Sequence, residues 1–124
     1  MNKKQLIVSL AMILSILSGC VTAESLKKLP DERLRYSSGF YAENLYRREV
    51  VSRHPDWPER TKQAILSGNV FIGMTKEQAR ASWGEAYKVN KTITQYGVHE
   101  QWVYGIYSYS FLYFENDILT SIQN

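Results

Sequence analysis

Cys20, His54, His99 and Glu100 hold most of the reactive chemistry in this 124-residue chain. Cys20 is the only cysteine, so neither an intrachain disulfide nor a cysteine-cluster metal site can form. His54 precedes Pro55, and His99 opens a run with strand character. Neither belongs to an H-E-x-x-H or His-x-His arrangement, and no carboxylate cluster stands at ligand spacing beside them. There is no G-x-S-x-G elbow and no phosphate-binding glycine loop. Glu100 sits inside an aromatic run, where burial would raise its pKa. Acid–base catalysis needs a second positioned group, and none is evident nearby. The other reading of Glu100 is a solvent-facing carboxylate, or one paired with Lys88 or Lys91 across a sheet. This inventory predicts a non-enzymatic protein with no cofactor and no metal.

Cys20 has a different use. Lys3 and Lys4 form a basic start, and Leu6 to Leu17 is apolar except for Ser9 and Ser15. Twelve helical residues reach about 18 Å, short of the roughly 30 Å hydrocarbon core. A cleavable signal peptide fits better than a spanning helix. The following Leu17-Ser18-Gly19-Cys20 resembles the bacterial lipobox, in which the cysteine sulfur receives a diacylglycerol and the chain is cut just before it. The alternative is an ordinary secretory signal cut nearby, for example after Thr22-Ala23. Lipidation would leave no free thiol at Cys20, which excludes Cys–His nucleophilic catalysis. Val21 rather than Asp follows the cysteine, a pattern that resembles outer-membrane lipoproteins facing the periplasm. Losing Lys3 and Lys4 lowers the net charge from +3 to +1, which gives little warrant for nucleic-acid binding.

The elements that must position the remaining residues follow from periodicity. Residues 20–30 read as a lipidated polar tether. Lys27 and Lys28 stand near the headgroups if the anchor is made, and are otherwise solvated. Residues 31–63 read as a helical extension. Its first part breaks at Ser37-Ser38-Gly39, with Ser38 as N-cap, and ends at His54-Pro55. A short helix over Pro58–Ser67 turns Ala64, Ile65 and Leu66 inward, and Gly68 closes it. Thr75-Lys76-Glu77-Gln78 fits a capping box, starting a helix that Gly84 ends. Beyond Gly84 the period becomes two. Strands are expected around Tyr87–Ile93, Val98–Ile106, Tyr109–Glu115 and Ile118–Ile122, with turns at Gln95-Tyr96-Gly97 and Asn116-Asp117. Short turns make the neighbours antiparallel. The expected fold is α+β: two or three N-terminal helices packed on a small antiparallel sheet of three to four strands. Ten of the sixteen aromatics fall between Trp83 and Phe114, more than one covered face needs.

Residues 64–124 carry a resemblance. The run from Ile65 through Gly68-Asn69-Val70-Phe71-Ile72-Gly73-Met74-Thr75-Lys76-Glu77-Gln78 leads into Trp83-Gly84. Glu100-Gln101-Trp102-Val103-Tyr104 and Tyr113-Phe114-Glu115-Asn116-Asp117-Ile118-Leu119-Thr120 then follow. This pattern is similar to the SmpA/OmlA (BamE-like) lipoprotein domain, with Ala86 in place of a usual proline and Asp117 in place of a hairpin glycine. The resemblance implies two helices followed by a small sheet. It also implies a membrane-anchored, non-enzymatic protein-interaction domain serving outer-membrane β-barrel assembly or envelope integrity. The expected contact surface is Gly73, Met74 and Thr75 with Tyr96, Tyr104 and Tyr107. The alternative is a small-ligand, lipid or peptidoglycan binding module that uses the aromatic face.

Overall fold

Trp102, Leu112, Phe114 and Leu119 are the large apolar side chains on one face of the C-terminal strands, and all four are buried. Burying them requires a second layer, and the preceding helices supply it. A computed structural model describes residues 22–30 and 42–124. The expected signal peptide, Cys20 and the segment 31–41, including the Ser37–Gly39 break, lie outside the described residues. The helices are α1 (Ala23–Lys27), α2 (Ala42–Arg53), α3 (Glu59–Leu66) and α4 (Lys76–Trp83). The strands are β1 (Lys88–Thr94), β2 (Gly97–Tyr104), β3 (Ser110–Glu115) and β4 (Ile118–Gln123). They form an antiparallel meander in the order β1-β2-β3-β4, so the fold is α+β as the periodicity implied.

Register explains the core. Trp102 lies opposite Leu112, and Glu100 opposite Phe114, so these four side chains share the helix-facing side. Trp102 and Phe114 meet with ring centroids 4.5 Å apart. Trp57, Ile65 of α3, Met74, and Ala79 and Ala81 of α4 complete this core. The small residues let α4 sit close to the sheet. On α3 the inward set differs from the expected one: Thr61 and Ile65 are buried, while Ala64 and Leu66 are only half-buried.

The start of α4 has a local cause. Thr75 accepts the Gln78 N–H at 3.2 Å, and the Gln78 side chain accepts the Thr75 N–H at 3.0 Å, completing the capping box. The α3 and α4 ends are tied together. Ser82 Oγ donates to the Asn69 carbonyl at 2.6 Å, and Trp83 Nε1 donates to the Gly68 carbonyl at 3.0 Å. Asn116 has φ 56°, so an asparagine occupies the left-handed position of the β3–β4 turn.

The segment expected to be a polar tether holds a short helix over Ala23–Lys27. Thr22 and Ser25 form a second capping box there. Five residues do not make a stable helix alone. Leu26 is buried against Tyr46, and Arg53 Nη2 donates to the carbonyls of Leu26 and Leu29 at 3.2 and 3.0 Å. A cation thus adds a charged donor at the C-terminal end of the short helix, where the dipole favours it.

Gly68 holds φ +71°, and a Cβ there would lie 2.8 Å from Arg47 Nη2. The guanidinium end can swing aside, so the backbone conformation sets most of the cost. Gly68→Ala is expected to destabilise the fold by about 1 kcal/mol and Gly68→Asn by less, because asparagine tolerates the left-handed region. Urea unfolding of the two variants checks the order.

Candidate interaction surface

Glu100 occupies the middle of β2 on the helix-facing side, with its side chain only 10% exposed. Burial costs a carboxylate its hydration, so it must be paired. The Trp102 indole N–H donates to Oε2 at 2.7 Å, and Lys76 Nζ lies 3.1 Å from Oε1. Lys91 Nζ is farther away, at 3.9 Å. The cross-sheet pairing with Lys91 expected from sequence is therefore the weaker contact. The main partner, Lys76, comes from the first turn of α4. A lysine at a helix start opposes the dipole, and Glu100 offsets it there. Burial pushes the Glu100 carboxyl up, but the Trp102 N–H, the Lys76 ammonium and the Lys91 charge outweigh it. The net result is a value held below the ordinary one of 4.5, the reverse of the raised pKa that an aromatic setting implied.

The two histidines stand apart. His99 is exposed on the outer face of β2. His54 stacks on Trp57 with centroids 4.0 Å apart, and its Nε2 is 3.6 Å from Glu77 Oε1. That contact joins the end of α2 to the start of α4 and leads into no shared site with Glu100. Among the described residues, no group of three His, Cys, Asp or Glu side chains is placed to hold a metal ion.

The expected contact residues separate into two groups. Gly73, Thr75 and Tyr96 lie at the sheet end that carries the β1–β2 and β3–β4 turns. Tyr104 and Tyr107 lie at the opposite end, by the β2–β3 loop. Met74 is 0% exposed, so its side chain belongs to the core and not to a contact surface. Thr75 is half-buried and occupied in its cap. The Tyr104 hydroxyl donates to the Gly84 carbonyl at 3.0 Å, and Tyr104 packs edge-on against Trp83. Burial raises its pKa far above the usual tyrosine value, with Arg80 opposing and Glu85 adding to the rise. Tyr96 and Tyr107 remain as true surface groups, 83% and 100% exposed.

Other exposed apolar side chains join them. Tyr87, Ile106 and Tyr109 accompany Tyr107 at one end, and Ile72, Ile93 and Ile118 stand nearer the other. The outer face of the sheet carries a feature that sequence reasoning missed. Asn90 Nδ2 donates to Gln101 Oε1 at 2.9 Å, Gln101 Nε2 to the Tyr113 hydroxyl at 3.1 Å, and that hydroxyl to Gln123 Oε1 at 2.8 Å. This chain crosses all four strands in one donor direction, so each bond polarises the next. Tyr109, Phe111 and Tyr113 form a row beside it, with ring centroids 6.2 and 6.5 Å apart. Alternation alone puts Phe111 and Tyr113 on one face of β3, but only the strand register brings the three amides into line.

No protein-family model, curated protein or solved structure matches this chain.

Glu100→Gln is expected to cost about 2 kcal/mol at pH 7, the size of a hydrogen-bonded charge lost. The folded carboxyl titrates below its unfolded value, so its stabilisation is complete above the unfolded value and is lost as pH falls through the folded one. The gap between parent and variant should therefore narrow toward pH 3 in urea unfolding. A gap independent of pH would mean that the charge contributes nothing.

Proposed function

We propose that this chain is an envelope lipoprotein, acylated at Cys20 and held at the outer membrane facing the periplasm. Its domain is a non-enzymatic unit that binds another protein. The supporting observation is the distribution of apolar groups. Tyr87, Tyr96, Ile106, Tyr107 and Tyr109 stand in solvent around the rim of a sheet whose core is already filled. Aromatic side chains with few rotatable bonds are well suited to partner contact. The Leu17-Ser18-Gly19-Cys20 motif supports the anchor, since two buried acyl chains hold a protein stably where one is marginal. The resemblance of residues 64–124 to the SmpA/OmlA domain supports β-barrel assembly as the process served.

A second reading has its own support. The Asn90–Gln101–Tyr113–Gln123 ladder beside the Tyr109–Phe111–Tyr113 row joins amide donors and acceptors to flat apolar rings. That combination suits a sugar face, so a peptidoglycan strand is the alternative ligand.

The Cys20→Ser variant should leave the membrane fraction and lose its acyl mass. Persistent membrane binding overturns the anchor. A photo-crosslinker at Tyr107 or Tyr96 should capture a barrel-assembly component from intact envelopes. If it captures none while muropeptides shift the Gln101 and Tyr113 signals, the second reading holds.

A further inference from the structure

The two edges of the sheet are treated differently. The edge of β4 is covered where it begins. Gly73 N–H donates to the Leu119 carbonyl, Leu119 N–H to the Met74 carbonyl, and Lys76 N–H to the Asp117 carbonyl, at 2.8, 2.8 and 3.1 Å. Thr75 and Ile118 form a β-bridge there. The edge of β1 has no such cover among the described residues. No backbone hydrogen bond reaches it apart from its ladder with β2.

Alternation fixes which groups point outward. Val98 N–H donates to Asn116 Oδ1 at 3.1 Å, and its carbonyl accepts the Asn116 N–H at 2.7 Å, so the Val98 backbone is turned toward β3. Ile93 lies opposite Val98 and is therefore in a non-bonded pair. Every second residue repeats this, so the N–H and C=O groups of Ile93, Lys91 and Val89 face away from the sheet. All seven residues of β1 are exposed, and the strand contains neither proline nor a bulge. Natural sheets usually blunt such an edge, and here only the charges of Lys88 and Lys91 do so.

The side chains say what the edge would accept. Val89, Lys91 and Ile93 share the helix-facing side, and all three are exposed beyond the described helical layer. Val89 is 47% exposed and Ile93 73%. Lys88 stands on the other side. β1 contains no carboxylate. Among the described residues the acid paired with Lys91 is Glu100, which lies nearer to Lys76, so this cluster of two ammoniums and one carboxylate carries net positive charge. A second copy docked edge to edge would bring four lysines together with no acid in either β1, which is unfavourable. An acidic strand meets the opposite charge.

We propose that the free edge of β1 is a docking strand, which takes an extended segment of a partner protein as a fifth strand. The segment has the pattern apolar-x-acid-x-apolar: two apolar side chains cover Val89 and Ile93, and the carboxylate between them meets Lys91. This deepens the reading of the chain as a protein-binding unit, and it rests on that reading. The mode is strand addition, in which main-chain bonds give affinity and alternate side chains give specificity.

The test uses the full chain in detergent micelles and a capped nine-residue peptide with Val-Thr-Glu-Thr-Val at its centre. Amide hydrogen exchange at Val89, Lys91 and Ile93 should slow at least tenfold, with β4 unchanged. The same peptide with lysine in place of glutamate should give no protection, and Lys91→Met should weaken binding of the acidic peptide about tenfold. Val89→Pro removes an outward N–H and should abolish binding. If that variant fails to fold, a peptide N-methylated along one edge should fail to bind the parent protein. Absence of protection at β1 up to millimolar peptide overturns the proposal. So does equal protection by the lysine peptide, or a peptide-free dimer with protected β1 amides. None of these results depends on acylation of Cys20 or on what a crosslinker captures at Tyr107, so failure here is distinguishable from failure of the broader reading.

Discussion

The segment 73–76 pairing with β4 is the constraint on which the rest of the structure depends. Three backbone hydrogen bonds fasten it along the start of that strand. Met74 is thereby driven into the core, and Thr75 is left at the sheet edge as the cap of α4. The helix must then start over the sheet, which places Arg80 over the Trp102 ring at 4.7 Å and Ala79 and Ala81 in the same buried cluster as Trp102 and Phe114. The same anchoring draws the helical layer toward β4. β1 lies at the far side of the meander and receives no cover among the described residues. Closure of one edge and exposure of the other thus come from a single local pairing.

Glu100 makes this arrangement sensitive to charge. A carboxylate facing a helical layer costs stability unless its partners are supplied. Trp102 supplies one from the same strand face, and Lys76 supplies the other from α4. The pair therefore reports whether helix and sheet are docked. It also removes the acid from competition for β1, because the nearer ammonium belongs to α4 and leaves Lys91 only loosely matched. An interaction internal to the fold in this way sets the sign of the charge at its edge.

Much of the architecture was legible in residue order. Thr75 and Gln78 announce a helix start through local chemistry alone, and Gly84 announces its end. The change from period 3.6 to period 2 after Gly84 locates the sheet, and short turns dictate its antiparallel sense. What stayed hidden depended on contacts distant in sequence. Lys76 and Glu100 are 24 residues apart, so only docking of α4 shows them to be partners. Met74 looks like a surface anchor next to a glycine and becomes core once 73–76 pairs with β4. The amide ladder needs the register of four strands. The helix at Ala23–Lys27 was illegible because five polar-rich residues carry no usable period, and its stability comes from Arg53, far along the chain.

That short helix changes the mechanical meaning of the proposed anchor. A polar tether would let the domain wander from the bilayer by the length of about ten extended residues, some 35 Å. Thr22 instead caps a helix whose Leu26 is buried on α2 and whose terminal carbonyls are held by Arg53. Only two residue steps separate Cys20 from Thr22, about 7 Å of chain at full extension. Acyl chains on Cys20 would then hold the folded domain against the headgroups, not on a leash. A partner reaching such a domain meets surfaces at a restricted height above the membrane. That restriction favours a partner that is itself embedded in, or fastened to, the same bilayer, because both then search a thin layer instead of a volume.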